Sequence, residues 1–127
     1  GRDLSVAMID LDYFKRINDE HGHASGDAAL IAFARAFSAA FPDALLGRLG
    51  GEEFAMLSQQ DAAALSATLD QLRSQCARLK YATGAPPLSF SAGIFQGAPD
   101  DLESALHQAD MRLYQAKKAG RGRNCWQ

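Results

Sequence analysis

The sequence predicts an α+β fold, a mostly antiparallel central sheet of about five strands with helices packed on it. Three observations carry that prediction. The run Val6-Ala7-Met8-Ile9 is apolar without a break, as expected of a strand buried in a sheet. Two short apolar stretches, Leu45-Leu46 with Leu49 and then Phe54 to Leu57, flank the pair Gly50-Gly51. That is a hairpin signal, because glycine accepts positive φ at a tight turn without a Cβ clash. The remaining strand candidates are separated by segments with apolar residues at helical spacing. A hairpin in mid-chain suits an α+β sheet and argues against a doubly wound parallel one.

Taken in order, the first strand runs from Ser5 to Leu11. Tyr13 to His21 reads as a short helix with Phe14 and Ile17 inward, interrupted at Gly22 and the turn-rich residues after it. Ser25 is the expected N-cap of a second helix, with Asp27 in its first turn. Its apolar face is Leu30, Ile31, Phe33, Ala34 and Phe37, and it stops at Phe41-Pro42. The hairpin follows. Asp61 caps a third helix with the stripe Leu65, Leu69, Leu72, Cys76 and Leu79, ended by Thr83 to Pro87. Leu88 to Phe95 is the next strand, in which Gly93 marks a bulge or a close approach of backbone. Asp100 with Glu103 resembles a capping box opening a fourth helix, with Leu102, Ala105, Leu106, Ala109, Leu113 and Ala116 inward. Arg123 to Trp126 is a last short strand.

At 127 residues the chain is expected to be one domain with a core that needs no staples. A net charge of −2 lacks the footprint of a duplex nucleic-acid binder, and no nucleic-acid partner is expected. The local basic excess is Lys117, Lys118, Arg121 and Arg123, which by itself reads as a solvated tail. Cys76 and Cys125 have no metal-like spacing; Cys76 falls on a helical stripe as a small core residue, and a reducing cytoplasm fits. No apolar run of membrane-spanning length and no signal peptide occur, so a soluble domain without membrane contact is expected. The chain opens directly at its first strand, as a piece of a longer protein would.

Chemistry enters with the acids. The first strand ends in Asp10-Leu11-Asp12, and Glu52 and Glu53 follow the glycine pair at once. Side chains alternate along a strand, so Glu52 and Glu53 point to opposite faces or splay around the turn. If the two strands lie side by side, Asp10 and Glu52 can meet and hold a hard divalent cation, which prefers oxygen ligands. The plain alternative for Asp10 is a strand-end acid forming a turn.

These residues resemble a known family. The string Asp10-Leu11-Asp12-Tyr13-Phe14-Lys15-Arg16-Ile17-Asn18-Asp19, then His21-Gly22-His23, Gly26-Asp27 and Arg48-Leu49-Gly50-Gly51-Glu52-Glu53-Phe54, are similar to the GGDEF domain, here with a GGEEF signature. Ser91-Ala92-Gly93-Ile94, Ala109-Asp110, Leu113-Tyr114-Gln115-Ala116-Lys117 and Gly120-Arg121 continue the match in register over essentially the whole chain. The resemblance implies a diguanylate cyclase of bacterial signalling, condensing two GTP into cyclic di-GMP with release of two pyrophosphates. It also implies a sheet like the palm of nucleotidyl cyclases and polymerases.

By that resemblance Asp10 and Glu52 are ligands of Mg²⁺ or Mn²⁺ through their carboxylates, and Leu11 through its carbonyl. Glu53 is a second-metal ligand or the general base, a role open to Glu52 as well. Asp12 is either an acid supporting the metal ligands or a helix N-cap. Asn18 and Asp27 are expected to read guanine, with His23 nearby; without the resemblance, Asn18 is a helix C-cap and Asp27 a first-turn acid. Retention of Asp27, where members that also accept ATP carry a small hydroxyl residue, favours GTP. Lys117 and Arg121 resemble the pair on the β- and γ-phosphates, and backbone N–H groups around Tyr13, Phe14 and Lys15 can hold phosphate too. Each domain then supplies half a site, so catalysis requires a two-fold homodimer, set by a regulatory region on the parent chain.

The sequence departs from the family pattern in two places. The inhibitory product site, Arg-x-x-Asp, is here Phe41-Pro42-Asp43-Ala44, so Phe41 and Ala44 replace both functional residues and no feedback through that site is expected. The usual helix before the first strand is missing from this sequence. The competing reading is a regulatory module that binds GTP or cyclic di-GMP without turnover. Such degenerate members typically lose a signature acid, and none is lost here. An RNA-binding sheet would want exposed aromatics and more positive charge.

Overall fold

The computed structural model describes residues 4–98 and 101–127. Five strands form one sheet: β1 (Leu4–Leu11), β2 (Leu45–Gly50), β3 (Glu53–Ser58), β4 (Phe90–Gly97) and β5 (Asn124–Cys125), in the spatial order β2-β3-β1-β4-β5. Four helices connect them: α1 (Phe14–His21), α2 (His23–Ala40), α3 (Ala62–Cys76) and α4 (Leu102–Lys118). All pairings are antiparallel except the short β4–β5 ladder, which is parallel. The α+β sheet read from the sequence is therefore the observed one, strand for strand.

β1 is central, and its unbroken apolar run is explained by burial on both faces. Ala7, Ile9 and Leu11 face a core built with Phe33 and Phe37 of α2 and Leu65, Leu69, Leu72 and Cys76 of α3. Val6 and Met8 face Ala105, Ala109 and Leu113 of α4. The first core is aromatic at its centre: Phe33 packs on Phe37, Phe54 and Phe90 with centroid separations of 4.9 to 5.4 Å, which add to their area burial. Burial there pushes the Cys76 thiol up to about 11, consistent with an inert core residue.

Several local expectations change. Gly22, not Ser25, begins α2: at φ 89 it reverses the chain so abruptly that α1 and α2 are joined by this one residue. Ile31 is 54% exposed, because it lies two residues from Phe33 and so nearly opposite it on the helix. Leu102 is likewise 46% exposed at the first turn of α4 rather than inward. The expected cap Asp100 lies outside the described residues; Asp101 accepts from the Ser104 N–H at 3.1 Å. Asp61 caps α3 as expected, accepting from Ala64 N–H at 2.8 Å. Leu79 lies beyond the end of α3 but still packs on the core, and Leu88 is buried just ahead of β4. Tyr13, in a left-handed conformation, occupies the N-cap of α1 with no side-chain cap, so Asp12 is not a capping residue. Gly93 sits in unbroken register opposite Met8, which makes it a close approach and not a bulge. Among the described residues, no helix is long and apolar enough to cross a membrane.

Candidate active site

β1 and β3 are hydrogen-bonded neighbours, so the end of the first strand and the Gly-Gly turn do lie shoulder to shoulder. Gly50 and Gly51 both take positive φ, 148° and 51°, and Arg48 clasps the turn by donating from Nε and Nη2 to the Gly51 carbonyl at 2.9 and 2.6 Å. This clasp fixes where the two glutamates begin. The residue directly across from Asp10 is Glu53, while the carbonyl of Glu52 accepts the Leu11 N–H at 3.2 Å.

Asp10 shares the α4 face of β1 with Val6 and Met8, and antiparallel pairing puts Ser91 beside it on β4. It is 5% exposed. Lys117, on the last turn of α4, forms an ion pair with its Oδ2. Burial raises the Asp10 carboxyl above its ordinary value; the Lys117 hydrogen bond and charge oppose this, and the charges of Glu52 and Glu53 add to the rise. Lys117 of α4 and the two glutamates of the glycine turn thus all act on the charge of Asp10 at one end of the sheet.

A cation site there has suitable donors, since carboxylates and the nearby main-chain carbonyls are hard oxygens. The Lys117 ammonium on Asp10 is itself evidence that this carboxylate recruits positive charge. Among the described residues no three acid, histidine or cysteine side chains converge as a ready-made metal cage. The residues fit a cation held by few protein ligands, with a substrate's own phosphate oxygens completing its shell.

The residues expected to read a base come together where α1 meets α2. Asn18 is half-buried, while His23 and Asp27 are exposed on the first turns of α2. The Asn18 backbone carbonyl accepts from the N–H of Gly22 at 2.9 Å; Gly22, not Asn18, is the C-cap of α1, and the Asn18 side chain lies directly over Gly26. A Cβ on Gly26 would fall 1.8 Å from Asn18 Oδ1. Gly26→Ala should therefore leave stability within about 1 kcal/mol of wild type, since the helix gains propensity and Asn18 can swing out; if Asn18 reads a base as the sequence resemblance implies, the same change should lower guanine-nucleotide affinity. Equal nucleotide affinity in titrations of the two proteins would remove Asn18 from the base-reading role.

Arg121 is exposed, with its guanidinium 5.1 Å from the ring centroid of Tyr13; Lys15 and Arg16 are exposed on α1, the Arg16 guanidinium lying 5.2 Å from the centroid of the same ring. Phe14 is partly buried against the core. Phe41 is buried and packs edge-on against Phe37 at 5.7 Å, with Ala44 beside the same core. The position of the family's regulatory arginine is here a core position. The sequence leaves Asp12 as a supporting acid or a helix cap without indicating its partners: it is buried and bonded to Ser89, Ser91 and Gly122, contacts 77 to 110 residues away along the chain.

A central antiparallel strand ending in a buried acid, opposed by a glycine-turn glutamate and met by a helix-borne lysine, is consistent with the nucleotidyl-cyclase-like sheet that the sequence resemblance implies. The family comparison gives the particular kind. Residues 1–123 match the family model described as diguanylate cyclase, GGDEF domain, and the chain belongs to that family. It is 40% identical over 97% of its length to the diguanylate cyclase DgcP of Pseudomonas aeruginosa, of which it spans 19%. Its fold superposes with a TM-score of 0.90 on the active GGEEF domain of a diguanylate cyclase from Vibrio cholerae, at 31% identity, covering 98% of this chain and 83% of that one. A GGDEF domain of DgcB from Caulobacter crescentus, solved in complex with c-di-GMP, gives 0.89 at 30% identity, with 98% and 77% covered.

Proposed function

We propose that this domain condenses two GTP into cyclic di-GMP, each of two copies holding one nucleotide in a two-fold homodimer. The observation that carries the reading is Asp10, buried at the end of the central strand with Glu53 directly across from it and Lys117 ion-paired to it. In each half-reaction the 3′-hydroxyl oxygen of one GTP bonds to the α-phosphorus of the other. The bond from that phosphorus to the β-phosphate bridge breaks, pyrophosphate leaves, and the hydroxyl proton passes to a carboxylate. Repeating this at the second half-site closes the ring.

Asp10 and Glu52, with the Leu11 carbonyl, are the residues to hold Mg²⁺ or Mn²⁺. When bound, the cation neutralises charge on the phosphates and lowers the cost of deprotonating the nucleophile. Glu53 takes a further cation or the proton. Lys117 neutralises Asp10 in the resting domain and is within reach of the phosphates that arrive beside it; Arg121 takes the distal phosphates. Asn18, Asp27 and His23 address guanine, whose N1–H and amine suit a carboxylate and an amide. Main-chain N–H groups at Phe14 and Lys15 supplement the phosphate grip. Buried Phe41 and partly buried Ala44 leave no Arg-x-x-Asp product site, so turnover should not be inhibited through that position. A cytoplasmic location and control by another region of the parent chain go with this reading.

Purified full-length protein, incubated with GTP and Mg²⁺ at concentrations where dimers form, should yield cyclic di-GMP by chromatography. Glu52→Ala and Glu53→Ala should each reduce the rate by about a hundredfold or more, the scale for removing a group that contacts the reacting atoms, with an unchanged fold. GTP binding without product from the wild type would instead establish a regulatory binding module.

A further inference from the structure

Asp12 follows β1 and is 6% exposed, yet it caps no helix and pairs with no cation at hydrogen-bond distance. Its Oδ1 accepts from Ser91 Oγ at 2.6 Å. Its Oδ2 accepts from Ser89 Oγ at 3.1 Å and from the Gly122 N–H at 3.0 Å. The Gly122 N–H also reaches Ser91 Oγ at 3.2 Å. A buried carboxylate therefore spends its acceptor capacity on two hydroxyls and one main-chain group of the segment after α4.

That segment is conformationally demanding. Arg121 (φ 63) and Gly122 (φ 59) are consecutive left-handed residues between α4 and β5, and for arginine that conformation is unfavourable by itself. It is held from three sides. The Arg121 N–H donates to the Ala116 carbonyl at 3.0 Å, the Ala92 N–H donates to the Arg123 carbonyl at 3.0 Å, and Asp12 holds Gly122 between them. The next residue along from Asp12 is Tyr13, the ring beside the Arg121 guanidinium.

We infer that Asp12 is a positioning residue for Arg121, locking the left-handed turn that aims Arg121 at the distal phosphates of the nucleotide. This rests on the proposed phosphate role of Arg121. Removing the carboxylate frees the turn to relax toward ordinary backbone angles, and Arg121 moves with it. Binding of the guanine end, on α1 and α2, is untouched. The effect is thus selective for ligands with β- and γ-phosphates.

The test compares α,β-methylene-GTP, which retains the distal phosphates but cannot be turned over, with GMP, which lacks them. Each displaces a fluorescent guanine nucleotide from the full-length protein. Asp12→Ala should weaken the triphosphate about tenfold, the equivalent of about 1.4 kcal/mol, and change GMP less than about twofold. Asp12→Asn should recover most of the loss, since its amide oxygen can still accept from Gly122 and its NH₂ can donate to Ser91. The double variant Asp12→Ala/Arg121→Ala should bind no more weakly than Arg121→Ala alone. If Asp12→Ala does not fold, Ser89→Ala/Ser91→Ala, which unfastens the carboxylate, should show the same triphosphate-selective loss. Equal losses for both ligands, additive losses in the double variant, or no loss in a folded variant would overturn the inference. Arg121→Ala with an unchanged triphosphate-to-GMP ratio would overturn the phosphate role as well, which separates the two failures.

Discussion

Asp10→Asn is expected to abolish formation of cyclic di-GMP while leaving the domain at least as stable as the wild type. The two effects have one cause. Asp10 is buried at the end of the central strand, and burial raises its folded-state pKa above 3.8 despite Lys117. A carboxyl raised in this way supports folding fully below its unfolded value and loses that support as pH rises through the folded one. At neutral pH the ionised side chain therefore costs the fold stability, and the neutral amide of asparagine does not. Lys117 is about a third exposed, so its ammonium can return to water when its partner is removed. Thermal melts of the two proteins should coincide below about pH 3.8 and diverge in favour of Asp10→Asn as pH rises. Turnover should fall by at least about three orders of magnitude, as expected when a charged group that organises phosphates is neutralised. A variant that is much less stable at neutral pH would show the ion pair with Lys117 to be structural instead. One that still makes product would take Asp10 out of the site.

Gly93→Ala should be the most destabilising single-methyl change in the sheet. On the α4 face of β4, a Cβ at this position would fall 2.1 Å from the Ala109 carbonyl oxygen and 2.1 Å from the Leu113 nitrogen. Both are main-chain atoms of α4, so no rotamer change relieves the clash and the helix must lift from the sheet. Overpacking of this kind costs about 3 kcal/mol or more. The displacement has a functional side, since α4 carries Lys117 to Asp10 through the same contact surface. Urea titration should show the midpoint falling with little change in slope. A loss below about 0.5 kcal/mol would mean that α4 sits on the sheet with more room than these distances allow.

Much of the fold was legible because its signals are local. Gly50-Gly51 between two apolar stretches marks the hairpin, and both glycines do take positive φ. The stripe Leu65, Leu69, Leu72 and Cys76 faces the core at helical spacing, and Asp61 caps that helix. The misreadings are equally local. Ser25 looked like the start of α2, but Gly22 turns the chain in a single residue and the helix is already under way. Ile31 and Leu102 look inward by composition, and only packing reveals that no neighbour covers them.

By itself, then, the order of residues determined the strands and helices, the hairpin, the family signature and the acids that end the first strand. These follow from backbone propensity, side-chain periodicity and turn chemistry, which act over a few residues. What only the tertiary structure decided is who meets whom at that strand's end. Glu53 rather than Glu52 stands across from Asp10, Lys117 arrives from the far end of α4 to neutralise it, and Asp12 binds Gly122 rather than a helix end. Strand register and helix docking set those partnerships, and they arise from the mutual packing of segments far apart in sequence, about a hundred residues for Lys117 and Gly122.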